Sequence, residues 1–257
     1  MDGARLKRHV WLIAPADDDE RKQEAPMVSW TSHTGPGRNA PKSGATRATR
    51  SHGAIGPRIF LVRHGRTSLN AAGVLRGRLD PELDAVGLVE AAAVADAIGR
   101  SDLSVLVSSP LQRAVDTAAQ IGARAGLDIE TDERLIDRDY GTGAGKPRSD
   151  VIAQWGSLDA APDVEPSAQV YVRAMDAFND VADRIQSGSA AIVTHDAVLQ
   201  VLLPALDPGL MKVEPIPLET GCFNVIERMG GTWQATSVNV SPSSLRNHPP
   251  AGHGHSQ

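Results

Sequence analysis

Apolar positions along the 257-residue chain form three short continuous runs, several helical stripes and one alternating pair, flanked by stretches with no period. Ile59-Phe60-Leu61-Val62, Val105-Leu106-Val107 and Ala190-Ala191-Ile192-Val193 are apolar at every position. Such runs predict strands buried on both faces. Between residues 84 and 98, Val86, Val89, Ala93 and Ala97 recur at helical spacing and predict a helix. Ser109-Pro110 reads as an N-cap followed by proline at the first helical position. That helix should run to Ala125 and stop at Gly126. Further helices are expected over 167–186 and 197–206. Residues 223–227 and 233–238 alternate around Gly230-Gly231, the pattern of a closing hairpin. Strands alternating with helices predict an α/β fold of three layers, α/β/α, with a mostly parallel central sheet. This domain should span 57–240. Residues 1–56 and 241–257 mix charge runs with Gly, Pro, Ser and Thr and are expected to be disordered tails.

Charge changes that picture in one respect. Residues 1–57 carry nine Lys/Arg against six Asp/Glu, while the remainder carries 17 against 25. An acidic body argues against a nucleic-acid partner and leaves any anionic substrate to a few local cations. Cys222 is the only cysteine, so neither an intramolecular disulfide nor a cysteine-rich zinc site can form. A cytoplasmic location is the expectation. No apolar run approaches the roughly 18 residues of a membrane span, and no membrane partner is expected. Near the start, Val10–Ala14 is too short for a signal core and runs into Asp17-Asp18-Asp19-Glu20. His248, His253 and His255 are read as part of a solvated tail rather than as a metal site.

The chemistry gathers where the strands end. The first buried run exits into Arg63-His64-Gly65-Arg66-Thr67, the second into Ser108-Ser109-Pro110-Leu111-Gln112-Arg113, and the third into Thr194-His195-Asp196. Open α/β sheets bind ligands beyond the carboxyl ends of their strands. Arg113 and His195 also lie at expected helix N-termini, where free N–H groups and the dipole favour an anion. Two arginines, two imidazoles and two helix starts make a phosphate cradle.

Leu61-Val62-Arg63-His64-Gly65-x-Thr67-x-x-Asn70 resembles the signature of the histidine phosphatase superfamily, which includes the cofactor-dependent phosphoglycerate mutases. The likeness continues through Gly77-Arg78-Leu79-Asp80, Leu83 and Gly87, and then Ser108 to Ala114 with Thr117-Ala118. It ends with Leu135 to Gly141 and Val193-Thr194-His195. The resemblance implies a phosphoglycerate mutase-like fold and a nucleophile at His64 that forms a phosphohistidine. It implies phosphoryl binding by Arg63, Arg113, His195 and Asn70, with Gly65 allowing the backbone close to the phosphate. Asp137 falls where the family has a glutamate acting as general acid and then base. No metal or other cofactor is implied, and the expected partner is a small phosphorylated metabolite.

This sequence departs from the family pattern in several places. Asp137 is one methylene shorter than glutamate, which sets its proton back by about 1.5 Å. Asp139 and Glu133 are alternative acids. Asp196 stands where glycine usually follows the second histidine, and Val164-Glu165-Pro166-Ser167 replaces Gly-Gly-Glu-Ser, although Val170 and Arg173 fit. Only 58 positions separate Asp137 from His195; the cations between them include Lys146, Arg148 and Arg173, of which Lys146 and Arg148 are either substrate contacts or loop charges. In the mutases this interval is much longer and basic, which favours hydrolysis here over phosphoglycerate mutase-type transfer. The departures also leave open a phosphate-binding regulatory protein without activity.

Overall fold

The computed structural model describes residues 56–212 and 215–242. Apart from Gly56, Ser241 and Pro242, the expected tails lie outside them, as do His248, His253 and His255. Strand β1 is Arg58–Arg63, β2 is Leu103–Ser108, β3 is Glu130–Thr131, β4 is Ser189–Thr194, β5 is Phe223–Met229 and β6 is Thr232–Val240. They form one sheet in the order β3-β2-β4-β1-β5-β6, parallel from β3 through β1 and antiparallel across β5 and β6. The fold is the three-layer α/β arrangement expected, with the hairpin turning at Gly230-Gly231.

Period-2 alternation divides each central strand between two cores. Ile59, Leu61, Val105, Val107, Ala190 and Ile192 face one layer, built from α5 (Ser167–Arg184) and α6 (Asp196–Leu206). Phe60, Val62, Leu106, Ala191 and Val193 face the other, built from α2 (Ala85–Ile98) and α3 (Gln112–Ala125). Each fully buried Ile, Leu or Phe contributes about 2 kcal/mol. A third, smaller cluster joins Leu75, Tyr140, Val151, Leu158, Ala161 and Val164 above the strand ends. It includes α4 (Arg148–Trp155), which the sequence pattern did not predict; nor did it predict α1 (Ser68–Ala71) or β3.

Two expectations need correction. Helix α2 forms as predicted, but only part of the stripe singled out faces inward: Val86 is 42% and Val89 70% exposed, Ala93 is half-buried and Ala97 packs against the core, whereas Gly87, Ala91, Val94, Ala95 and Ile98 are buried. The helix is apolar nearly all round, so spacing alone cannot choose its face. Backbone contact chooses it. A Cβ on Gly87 would lie 2.0 Å from the Arg66 carbonyl oxygen, and a Cβ on Gly65 would lie 2.4 Å from that of Gly87. The second correction concerns α3, whose N-cap is Leu111 without a side-chain bond, not Ser109. The Ser109 hydroxyl is engaged elsewhere, accepting the Leu111 N–H at 3.3 Å and lying 2.7 Å from His195 Nε2. Gly126 ends α3 in the left-handed region as expected.

Candidate active site

Strands β1 and β4 pair in parallel with Arg63 opposite Thr194, so the next residue of each, His64 and His195, leaves the sheet beside the other. The His64 N–H donates to the Thr194 carbonyl at 3.0 Å, and the two rings lie 5.0 Å apart, tilted by 58°. Both are fully buried. His64 Nδ1 sits 2.7 Å from the Gly65 carbonyl, which can only accept, so Nδ1 carries the proton. Nε2 is then the lone-pair nitrogen, and it accepts from Arg113 Nε at 3.3 Å. Burial, reinforced by Arg113, Arg63 and Arg76, holds the His64 pKa well below its ordinary value. Burial and Arg113 do the same for His195. Both imidazoles are therefore neutral at pH 7.

Arg113, in the first turn of α3, is the largest fully buried side chain described. Its Nη1 donates to Leu79 O at 2.8 Å and its Nη2 to Gly77 O at 2.9 Å and to Asp137 Oδ2 at 3.0 Å. Asp80 Oδ1 stands 3.4 Å from Nη1. These contacts aim the Nε edge at His64. Asp137 is buried, and its other oxygen accepts the Arg138 N–H at 2.9 Å. Desolvation pushes this carboxyl pKa up even though Arg113 and Arg76 oppose the shift. Burial thus favours the protonated form of this carboxyl.

Arg63 directs Nη1 to the Leu218 carbonyl and stands 3.6 Å from Asp196 Oδ1; its buried Nε has no partner. Asp196, the departure from the family pattern, is thus paired with a site arginine. Asn70 closes a capping box on α1, its Oδ1 accepting from Thr67 N and Oγ1 at 3.0 and 2.8 Å. Gly65 donates its N–H to Thr117 Oγ1 at 3.1 Å, and the crowding that demands glycine there comes from Gly87. Of the alternative acids, Glu133 is exposed, and Asp139 pairs with Arg78 at 3.4 Å and accepts the Gly141 N–H. Of Asp137, Asp139 and Glu133, Asp137 alone touches the arginine that touches His64. Lys146 and Arg148 are exposed. Among the described residues no three His, Cys, Asp or Glu side chains gather as a metal-ion ligand set, and no helix is long and apolar enough to cross a membrane.

Two roles escaped the sequence reading, those of Arg76 and Arg173. Arg76, between Leu75 and Gly77, contributes to the electrostatics of His64, His195 and Asp137. Its signal was a third arginine just ahead of the Gly77-Arg78-Leu79-Asp80 match. Arg173 is the second. From α5 it reaches the carbonyls of Arg134 (2.7 Å), Ile136 (2.6 Å) and Asp137 (3.3 Å) while Glu165 holds its Nε and Nη2 at 2.8 and 3.0 Å. Glu165 Oε2 also accepts the Asp139 N–H. The acid-bearing segment is clamped to α5.

Comparison with known proteins adds a second line. The family model of the histidine phosphatase superfamily, branch 1, matches residues 59–241. A glucosyl-3-phosphoglycerate phosphatase of Mycobacterium tuberculosis is 36% identical over 96 residues, 37% of this chain and 43% of that protein. The chain therefore matches less than half the length of this relative. Phosphoglycerate mutase-like protein 4 of Arabidopsis thaliana is 32% identical over 171 residues, covering 62% of this chain and 74% of that one. Among solved structures, Bacillus stearothermophilus YhfR superposes with a TM-score of 0.65 at 26% identity, over 72% of this chain and 98% of its own.

Proposed function

Because the chain belongs to the histidine phosphatase superfamily, we propose that it hydrolyses a phosphate monoester through a phosphohistidine on His64, with no metal ion. The observation that carries this reading is the protonation pattern of one ring: Nδ1 bonded to the Gly65 carbonyl, Nε2 lone pair beside the Arg113 guanidinium. In the first step that lone pair forms the N–P bond as the ester P–O bond breaks, and Asp137 gives its proton to the departing oxygen. In the second, water attacks phosphorus, its proton returns to Asp137, and the N–P bond breaks to release phosphate. Arg63, Arg113, His195 and Asn70 hold the oxygens whose charge shifts in transit. His195, neutral and bonded through Nε2 to Ser109, can donate to a phosphoryl oxygen.

Hydrolysis is favoured over mutase-type transfer by the short interval between Asp137 and His195. The relative named as glucosyl-3-phosphoglycerate phosphatase supports a small phosphorylated metabolite as substrate. Nucleic acid and membranes are not part of the proposal, and we place the enzyme in the cytoplasm. Reaction with a ³²P-labelled monoester in the presence of chelator, quenched in alkaline detergent to preserve the acid-labile N–P bond, tests it. The wild type should trap label on His64 and the His64→Ala protein should trap none. Turnover of p-nitrophenyl phosphate that survives His64→Ala unchanged would reject the mechanism, and interconversion of 2- and 3-phosphoglycerate would favour a mutase.

A further inference from the structure

We propose that Arg76 is a third phosphate-binding guanidinium of this site; the inference rests on the hydrolase reading above. The loop from residue 74 to 80 forms a wall of the site, since the carbonyls of Gly77 and Leu79 both hold Arg113. Gly77 adopts a positive φ of 53°, and a Cβ there would lie 2.9 Å from the Arg138 carbonyl, so the loop is seated against the acid-bearing segment. Arg76 projects from this fixed wall. Its Nη1 makes one 3.3 Å bond to Val74 O, and its buried Nε has no partner. A buried donor without an acceptor costs about 1–3 kcal/mol, a penalty that a bound anion would remove.

The charges point the same way. Arg63 stands beside Asp196, and Arg113 beside Asp137 and Asp80. Arg76 takes part in none of the ion pairs among the described residues, and Asp137 and Asp196 act on it only from farther away. When Asp137 carries the proton it is to donate, Arg113 gives up part of its countercharge as well. Arg63, Arg76 and Arg113 then face only two carboxylates, Asp196 and Asp80, and the site keeps a positive surplus. A phosphate monoester, doubly negative above pH 6 to 7, is drawn to that surplus. Arg76 also acts electrostatically on His64, His195 and Asp137 together, which locates it by the reacting groups rather than by a remote part of the substrate.

Calorimetric binding of inorganic phosphate to the full chain at pH 7.5 tests this without turnover. Arg76→Gln should bind phosphate about 10- to 100-fold more weakly, the loss of one charge-assisted contact. Arg76→Lys, which keeps the charge but loses the fork, should lie between it and the wild type, and serves if the glutamine protein does not fold. With p-nitrophenyl phosphate, Arg76→Gln should raise KM more than it lowers kcat. It should also move the basic limb of the profile to higher pH, because a cation that favours the Asp137 carboxylate is gone. Phosphate affinity equal in all three proteins overturns the assignment. A chain that binds phosphate through Arg76 yet never labels His64 would reject the hydrolase reading alone. Turnover through His64 with unchanged phosphate affinity in Arg76→Gln would reject this inference alone.

Discussion

His64 and His195 leave two adjacent parallel strands, whereas Asp137 sits in residues 132–147, where 3-10 turns replace regular elements and the bonds run from side chain to backbone. The imidazole side is fixed by the sheet itself. Its register sets the ring separation, and two cores press on the strands from either face. The acid side depends on a handful of groups: Arg113 holds the carboxylate, Arg173 the carbonyls, Glu165 the clamp and Arg138 the next N–H. Rigid placement suits a nucleophile that must line up with phosphorus. A carboxyl that exchanges a proton twice needs a tuned environment instead.

The contrast can be broken most sharply at the strand end. His64→Ala should cut monoester turnover by about 10⁴-fold or more while circular dichroism shows the fold retained. Asp137→Asn should lower turnover of alkyl phosphates by about 10²- to 10⁴-fold, with a smaller loss for p-nitrophenyl phosphate, whose leaving oxygen needs no proton. Equal losses for both substrates would remove Asp137 from the acid role. Arg173→Met leaves Glu165 without its partner in a largely buried place and should cost about 3 kcal/mol in denaturant unfolding. It should also lower kcat about tenfold, because the Asp137 backbone loses its anchor.

The smallest effect expected is a pH dependence of stability. His64 and His195 have folded-state pKa values below the unfolded value of about 6.5. The unfolded chain therefore binds protons first on acidification. Their contribution is intact above pH 6.5 and is lost as pH falls through the depressed values. Melting temperatures between pH 7.5 and 5 should fall, and less steeply in the His195→Gln protein.

This division also explains what the sequence disclosed. β1, β2 and β4 were legible because burial on both faces leaves an unbroken apolar run, and the residues just beyond such runs had to meet at one edge of the sheet. The inward face of α2 was not, because Ala and Val surround the helix and two glycine backbones decide its rotation. Ser109 looked like a cap, yet its hydroxyl serves His195, a partner 86 positions away. Arg173 fitted a motif, but its three carbonyl acceptors have no spacing that a sequence can advertise. Long-range bonds from a side chain to irregular backbone leave no period.

Cys222, just ahead of β5, is fully buried, and burial pushes its thiol up to about 12. Its carbonyl accepts the Arg63 N–H at 3.0 Å, one residue from His64. A thiol so protonated and so enclosed cannot meet an alkylating reagent until the β1–β5 edge parts. The rate at which this lone sulfur takes up a label therefore times the opening of the very backbone that carries the histidine, so the molecule holds its own stopwatch.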